Sequence, residues 1–233
     1  MNTQAANTTN TLAAEPVASL ITRLFADAAS MEATFRQEAR NVPPEELQAM
    51  MRSTTQYREF YGRMKEFYLA VSPETGRLLY MLARSIKARS IVEFGTSFGV
   101  STIHLAAALR DNGGGRLIGS EFESAKVARA WANLQAAGLS DLVEIRDGDA
   151  LETLARDLPR SIDLVLLDGA KGLYPKVLEL LEGHLRVGSL IVADNADFSP
   201  DYLARVRSPD EGYMSVAVGD EVELSMRIGP VAN

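Results

Sequence analysis

Beyond Ser72 the apolar positions of this chain switch repeatedly between helical spacing and short continuous runs. Ser72-Pro73-Glu74 opens a helix with proline at its first position, carrying Leu78, Leu79, Met81 and Leu82. Ser90-Ile-Val-Glu93-Phe is β-prone, two glycines follow, and Val100, Ile103, Leu105, Ala107 and Leu109 then recur at helical spacing. That stretch reads as strand, tight turn, helix. Arg116 to Glu121 is a second strand before a helix starting at Ser124, and Leu142 to Arg146 is a third. Ile162 to Leu167 and Ser189 to Ala193 are almost unbroken apolar runs, as expected of strands covered on both faces. Tyr213 to Val218, a Gly219-Asp220 turn and Val222 to Ile228 predict a hairpin at the sheet edge. The alternation predicts an α/β fold: five parallel strands, helices on both faces, and an antiparallel C-terminal hairpin.

Upstream of Ser72 the pattern is helical only. Val17 to Phe25 and, after Pro43-Pro44, Glu45 to Met51 show helical spacing. A third helical stretch, Tyr57 to Leu69, carries Phe60, Tyr61, Met64, Phe67 and Tyr68. Such residues serve packing or a dimer surface more often than a substrate gate. Residues 1–15 are mostly Asn, Thr and Ala and are expected to be a disordered tail. No repeat or linker divides the rest, so 16–233 is expected to be one domain, with a helical extension over 16–70 and a core over 71–233.

Composition narrows the chemistry. The 233 residues, 46% of them hydrophobic, can bury a sizeable core. With no cysteine and only His104 and His184, any metal must be held mainly by oxygen. A net charge of −7 disfavours nucleic acid as a partner. No run is apolar enough to cross a membrane and the first residues lack signal-peptide features, so a cytoplasmic protein with no membrane partner is expected.

Two regions carry candidate chemistry. In Glu93-x-Gly95-x-x-x-Gly99, a glycine lets backbone N–H groups approach a ligand and Ser97 or Ser101 can cap the helix. The spacing is not that of a dinucleotide fingerprint and no P-loop lysine follows, so a pyrophosphate is not the expected ligand. An ordinary strand-to-helix turn is the other reading. Glu121, about twenty residues beyond Gly99, stands where an acid reaches ribose hydroxyls in doubly wound folds, or else is a helix N-terminal charge. The second region is Asp168-Gly-Ala-Lys171 and Asp194-Asn195, each at the carboxyl end of a predicted strand. If those strands are neighbours, three oxygen donors converge and suit a hard divalent cation, magnesium by default. Strand termination and helix capping are the structural alternative.

Glu93-Phe-Gly95-Thr-Ser-Phe-Gly99 resembles the first motif of the class I S-adenosylmethionine-dependent methyltransferases. Leu167-Asp-Gly-Ala-Lys171-x-x-Tyr174, Asp194-Asn195, Gly219-Asp220-x-Val-Glu-Leu-Ser225 and Ser72-Pro-Glu-x-Gly76 together resemble the cation-dependent O-methyltransferases of the catechol and caffeoyl-coenzyme A type. The resemblance implies a Rossmann-like seven-stranded, mostly parallel sheet and an S-adenosyl-L-methionine cofactor. It implies metal ligands Asp168, Asp194 and Asn195, with Lys171 as catalytic base beside Asp168. It implies cofactor contacts from Val71, Glu93, Gly95, Ser101, Glu121, Gly148, Asp149, Ala150 and Asp168. A small hydroxylated acceptor and a homodimer are the expected partners. Beside a cation, Lys171 would have its pKa lowered by like charge, which makes a neutral amine base. The loop after Asn195 is shorter than the family's, so the acceptor wall is expected from Phe198, Tyr202, Tyr213, Met214 and the Tyr57 to Leu69 stretch. A metal-independent methyltransferase and a non-catalytic cofactor-binding dimer are the alternatives.

Overall fold

The structure, a computed structural model, describes residues 10–39 and 43–229, so residues 1–9 of the expected tail lie outside the described residues. One sheet holds β1 (Ser90–Phe94), β2 (Arg116–Glu121), β3 (Val143–Asp147), β4 (Ile162–Leu167), β5 (Leu185–Asp194), β6 (Tyr213–Val218) and β7 (Val222–Arg227). Its order is β3-β2-β1-β4-β5-β7-β6. The first five strands run parallel, and β7 enters antiparallel between β5 and β6. The expected Rossmann-like α/β fold with a C-terminal hairpin is therefore present.

Among the described residues the helices are α1 (Val17–Ala39), α2 (Pro44–Arg52), α3 (Tyr57–Arg63), α4 (Pro73–Ser85), α5 (Val100–Asp111), α6 (Ser124–Ala136), α7 (Ala150–Thr153), α8 (Tyr174–Glu182) and α9 (Pro200–Val206). Because successive strand residues point to opposite faces, each central strand feeds two cores. On β4, Leu164 and Leu166 pack with Leu79, Ile103 and Leu134 of α4, α5 and α6. Val165 and Leu167 pack on the other side with Val177, Leu178 and Tyr202 of α8 and α9. All four strand residues are fully buried, which explains why the run has no polar alternation.

The strand order reverses between β1 and β4, and in such sheets the crevice beyond the carboxyl ends at that point is the ligand site. Glycines let the two turns there interlock. Gly95 has φ +98°, and a Cβ on it would stand 2.5 Å from the Gly169 backbone nitrogen. A Cβ on Gly169 would in turn strike the Phe94 ring at 2.5 Å. The helix opened by Ser72-Pro73 forms as expected, with the Ser72 hydroxyl accepting from the Thr75 N–H at 3.0 Å.

Four boundaries differ from expectation. The helix expected over Tyr57 to Leu69 ends at Arg63, because Gly62 weakens its last turn and Met64 donates back to Tyr61. The chain then turns to bury Phe67. Residues 168–174, which Pro175 as a first helical residue would leave as loop, are shorter as a loop, since Lys171–Leu173 is a 3₁₀ turn leading straight into α8. Strand β5 starts at Leu185, four residues before Ser189, across an irregular register opposite Ile162 and Leu164. Finally, the C-terminal end of the expected disordered tail is folded: Thr11–Ala13 is a 3₁₀ turn whose Thr11 N–H and hydroxyl donate to Asp111. Tyr57, Phe60 and Phe67 are buried within the chain.

The helical extension rests directly on the end of β4. A Cβ on Gly172 would lie 2.4 Å from the Arg52 carbonyl oxygen at the end of α2. Gly172→Ala is therefore expected to destabilise the protein by about 1–3 kcal/mol, measured as the urea unfolding midpoint. An unchanged midpoint would mean that α2 does not press on this turn.

Candidate active site

The carboxyl ends of β1, β2 and β4 open into a cleft of about 590 Å³, counting its solvent-open mouth. Gly95, Ser97, Glu121, Gly148, Asp149, Ala150 and Asp168 wall it from the core, and Tyr57, Tyr61 and Leu69 from the N-terminal extension. Glu121 ends β2, where its carboxylate accepts from the Ser97 N–H at 2.8 Å and the Glu123 N–H at 3.0 Å. Burial raises its pKa against those bonds and the nearby Lys126. Gly148 donates to the Glu121 carbonyl at 2.9 Å, which fixes the next loop beside it. Asp149 caps α7 and is clasped from α3 by the Tyr57 hydroxyl at 2.6 Å and the Arg58 guanidinium at 2.5 Å.

Three residues expected at the cofactor do not line this cleft. Glu93 is fully buried and accepts from the hydroxyls of Thr96 at 3.1 Å, Ser101 at 2.6 Å and Thr102 at 2.6 Å. It therefore braces the turn from behind, and Ser101 is spent on that bond rather than on a ligand. Burial pushes the Glu93 carboxyl up to about 7 despite the three donors. Val71 is buried beside a neighbouring groove between α1 and residues 67–73.

Asp168 and Asp194 do come together. The β4–β5 register pairs Leu167 with Ala193, so the next residue of each strand is an aspartate on the same level. Their side chains lie within hydrogen-bonding reach, and burial followed by the Asp168 charge pushes Asp194 up to about 8. Asp194 is 6% exposed and its Oδ1 has no hydrogen-bond partner. Asn195 follows in the left-handed region, φ 47° and ψ 45°, which asparagine tolerates better than most residues, and its side chain makes no capping bond. Among the described residues no three His, Cys, Asp or Glu side chains group as a metal cage. The donors expected from the sequence amount to two carboxylates and one amide.

Lys171 lies beneath this pair. Its Nζ donates to Asp168 Oδ1 at 2.9 Å and to the Tyr174 hydroxyl at 2.9 Å, and that hydroxyl donates to the Asp194 carbonyl at 2.8 Å. Burial opposes the ammonium, but the surrounding oxygens of Tyr174, Asp168 and Asp194 hold its pKa well above the usual lysine value. Here the lowered pKa expected beside a cation is reversed, because the only charges around the amine are negative.

Residues 92–196 match a family described as a methyltransferase domain. The chain is 38% identical over 130 residues to a catechol O-methyltransferase of Niastella koreensis, covering 54% of this chain and 58% of that protein. It is 37% identical over 127 residues to a catechol O-methyltransferase of Mycobacterium tuberculosis, covering 54% and 57%. Among solved structures, the O-methyltransferase TomG of Streptomyces achromogenes, in complex with S-adenosylmethionine, superposes with a TM-score of 0.62 at 28% identity over 81% of this chain and 92% of that one. By these matches the chain is similar to the class I S-adenosylmethionine-dependent O-methyltransferases. It spans somewhat under three fifths of the length of the curated relatives it matches.

Three of the side chains expected at an acceptor wall do not line this cleft. Tyr202 is fully buried against Tyr174, Tyr213 is buried with its hydroxyl on Glu182 at 2.7 Å, and Met214 is 62% exposed on β6. Tyr57 and Tyr61 of α3 line the cleft instead. So does Lys126 of α6, buried with its Nζ 3.4 Å from the Ser97 hydroxyl, which nothing in the local sequence marks.

The buried carboxyls make a pH prediction. A carboxyl whose folded pKa lies above its unfolded value binds more protons in the folded state, so stability falls as pH rises through that window. For Glu93 the window runs from 4.5 to about 7, a loss of roughly 3 kcal/mol. Glu93→Gln is expected to flatten the decline in unfolding free energy between these pH values. A parallel decline in wild type and variant would contradict the assignment.

Proposed function

We propose that this chain transfers a methyl group from S-adenosylmethionine to a hydroxyl of a small, phenolic or catechol-like acceptor, assisted by a divalent cation. The observation that carries this reading is the buried Asp168–Asp194 pair with the unpartnered Asp194 Oδ1, opening beside a cleft of nucleoside-cofactor size. Two carboxylates forced together in low dielectric and a free lone pair fit a cation that keeps coordination sites for water and substrate. Asp168, Asp194 and Asn195 would hold it. Such an ion supplies Lewis acidity, lowering the pKa of a chelated hydroxyl and fixing neighbouring acceptor oxygens. The cofactor supplies a methyl group on a sulfonium.

The chain's own residues supply alignment and proton handling. Glu121 takes the ribose hydroxyls, the Gly148–Ala150 loop the adenine side, and the Gly95–Ser97 turn the methionyl side. Lys171 Nζ would take the proton of the acceptor hydroxyl, so that the oxygen could accept the methyl group that the cofactor would supply. That role needs Lys171 as a free amine. Neutralising Asp168 and Asp194 removes the charges that hold it protonated, so base strength and metal loading are linked. A metal-independent reading is favoured by one observation, that Lys171 already neutralises Asp168.

Magnesium is expected to raise the melting temperature of the wild type and to be required for turnover. Asp194→Asn is expected to be more stable than the metal-free wild type at pH 7.5, indifferent to magnesium and inactive. Full turnover of the wild type in EDTA would select the metal-independent reading.

A further inference from the structure

On α3, Tyr57 and Tyr61 are one helical turn apart and both face the cleft. Tyr57 meets Asp149 on the side given above to adenine. Tyr61 therefore stands one turn further along, and its charged neighbours are Lys171 and Asp168. Its hydroxyl oxygen is enclosed yet has no hydrogen-bond partner of proper geometry. The Lys171 backbone N–H approaches that oxygen, so what is left unused is the hydroxyl hydrogen. A buried donor without an acceptor is uncommon in folded proteins, and here it sits at the end of the cleft where methyl transfer would occur. The ring is held by an edge contact with Phe60 at 5.0 Å, so the hydroxyl is carried on a packed helix rather than a free loop.

We propose that the Tyr61 hydroxyl binds the methyl acceptor, donating to the acceptor oxygen that is not methylated and thereby selecting which of two neighbouring hydroxyls reacts. The inference rests on the methyl-transfer reading. A sulfonium methyl offers no strong hydrogen-bond acceptor at that end of the cleft, whereas an aromatic diol presents two adjacent oxygens. One of these would face the methyl group near Lys171, and the other would lie toward α3. Tyr61 acts as a positioning residue, so its loss changes acceptor binding and product choice rather than cofactor binding.

The test uses the full chain with magnesium and S-adenosylhomocysteine. Calorimetry measures the binding of a nitrocatechol, an unreactive acceptor analogue, to wild type and Tyr61→Phe. Product analysis measures the ratio of the two monomethyl isomers from a 4-substituted catechol. Tyr61→Phe is expected to weaken nitrocatechol binding about tenfold, to move the isomer ratio toward one to one, and to leave S-adenosylhomocysteine affinity unchanged. Unchanged analogue binding and isomer ratio would overturn the inference alone. A matching loss of S-adenosylhomocysteine affinity would also overturn it, since the hydroxyl would then be structural. A wild type that binds the cofactor product but no nitrocatechol would bring down the underlying reading and this inference with it.

Discussion

Two carboxylates held side by side away from water repel each other, and most of the local architecture answers that repulsion. The parallel register of β4 and β5 holds Asp168 and Asp194 side by side, because each directly follows a fully buried residue of a register pair, Leu167 and Ala193. The interior lowers the dielectric, so like charge weighs more there than at the surface. Lys171 supplies one compensating charge and Tyr174 ties that ammonium to the Asp194 backbone. One carboxylate oxygen is still left without a partner. A folded protein seldom keeps such a group unless something else completes it.

The remaining site is built around this corner. Gly95 and Gly169 allow the β1 and β4 turns to touch, which brings Asp168 to the wall of the same cleft as Ser97 and Glu121. Glu93 with its three hydroxyl donors stiffens the turn from behind. Asp149 does the same for the third loop and also anchors α3, so one residue fixes both the loop after β3 and the helix across the cleft from it. Tyr57 and Tyr61 of α3 cover one side of the cleft, and Lys171 and Asp194 beside it are buried, which strengthens the charge interactions between them.

Much of this was legible in the amino-acid sequence, and the reasons are local. Ile162 to Leu167 could only be a doubly covered strand, Ser72-Pro73 could only start a helix, and the aspartates followed strands whose adjacency a doubly wound sheet supplies. What escaped was set by distant partners. Glu93 looked like a ligand contact because its spacing from Gly95 is local, whereas the hydroxyls that occupy it are added by the following helix turn. The wall assigned to Tyr202 and Tyr213 followed from proximity in sequence to Asn195, but Tyr202 of α9 packs on Tyr174 of α8 and Tyr213 of β6 is held by Glu182 and Arg227. The pairing of Tyr57 and Arg58 with Asp149 spans more than ninety residues and leaves no periodic trace. The direction of the Lys171 pKa depends on whether a cation or only carboxylates surround it, which residue spacing does not encode.

Anomalous diffraction from crystals soaked in manganese tests the central claim most directly. The account predicts one strong peak within coordination distance of the Asp168 and Asp194 carboxylates and the Asn195 side chain. A chain that binds manganese elsewhere, or shows no peak at this corner while the cofactor cleft is filled, would contradict it.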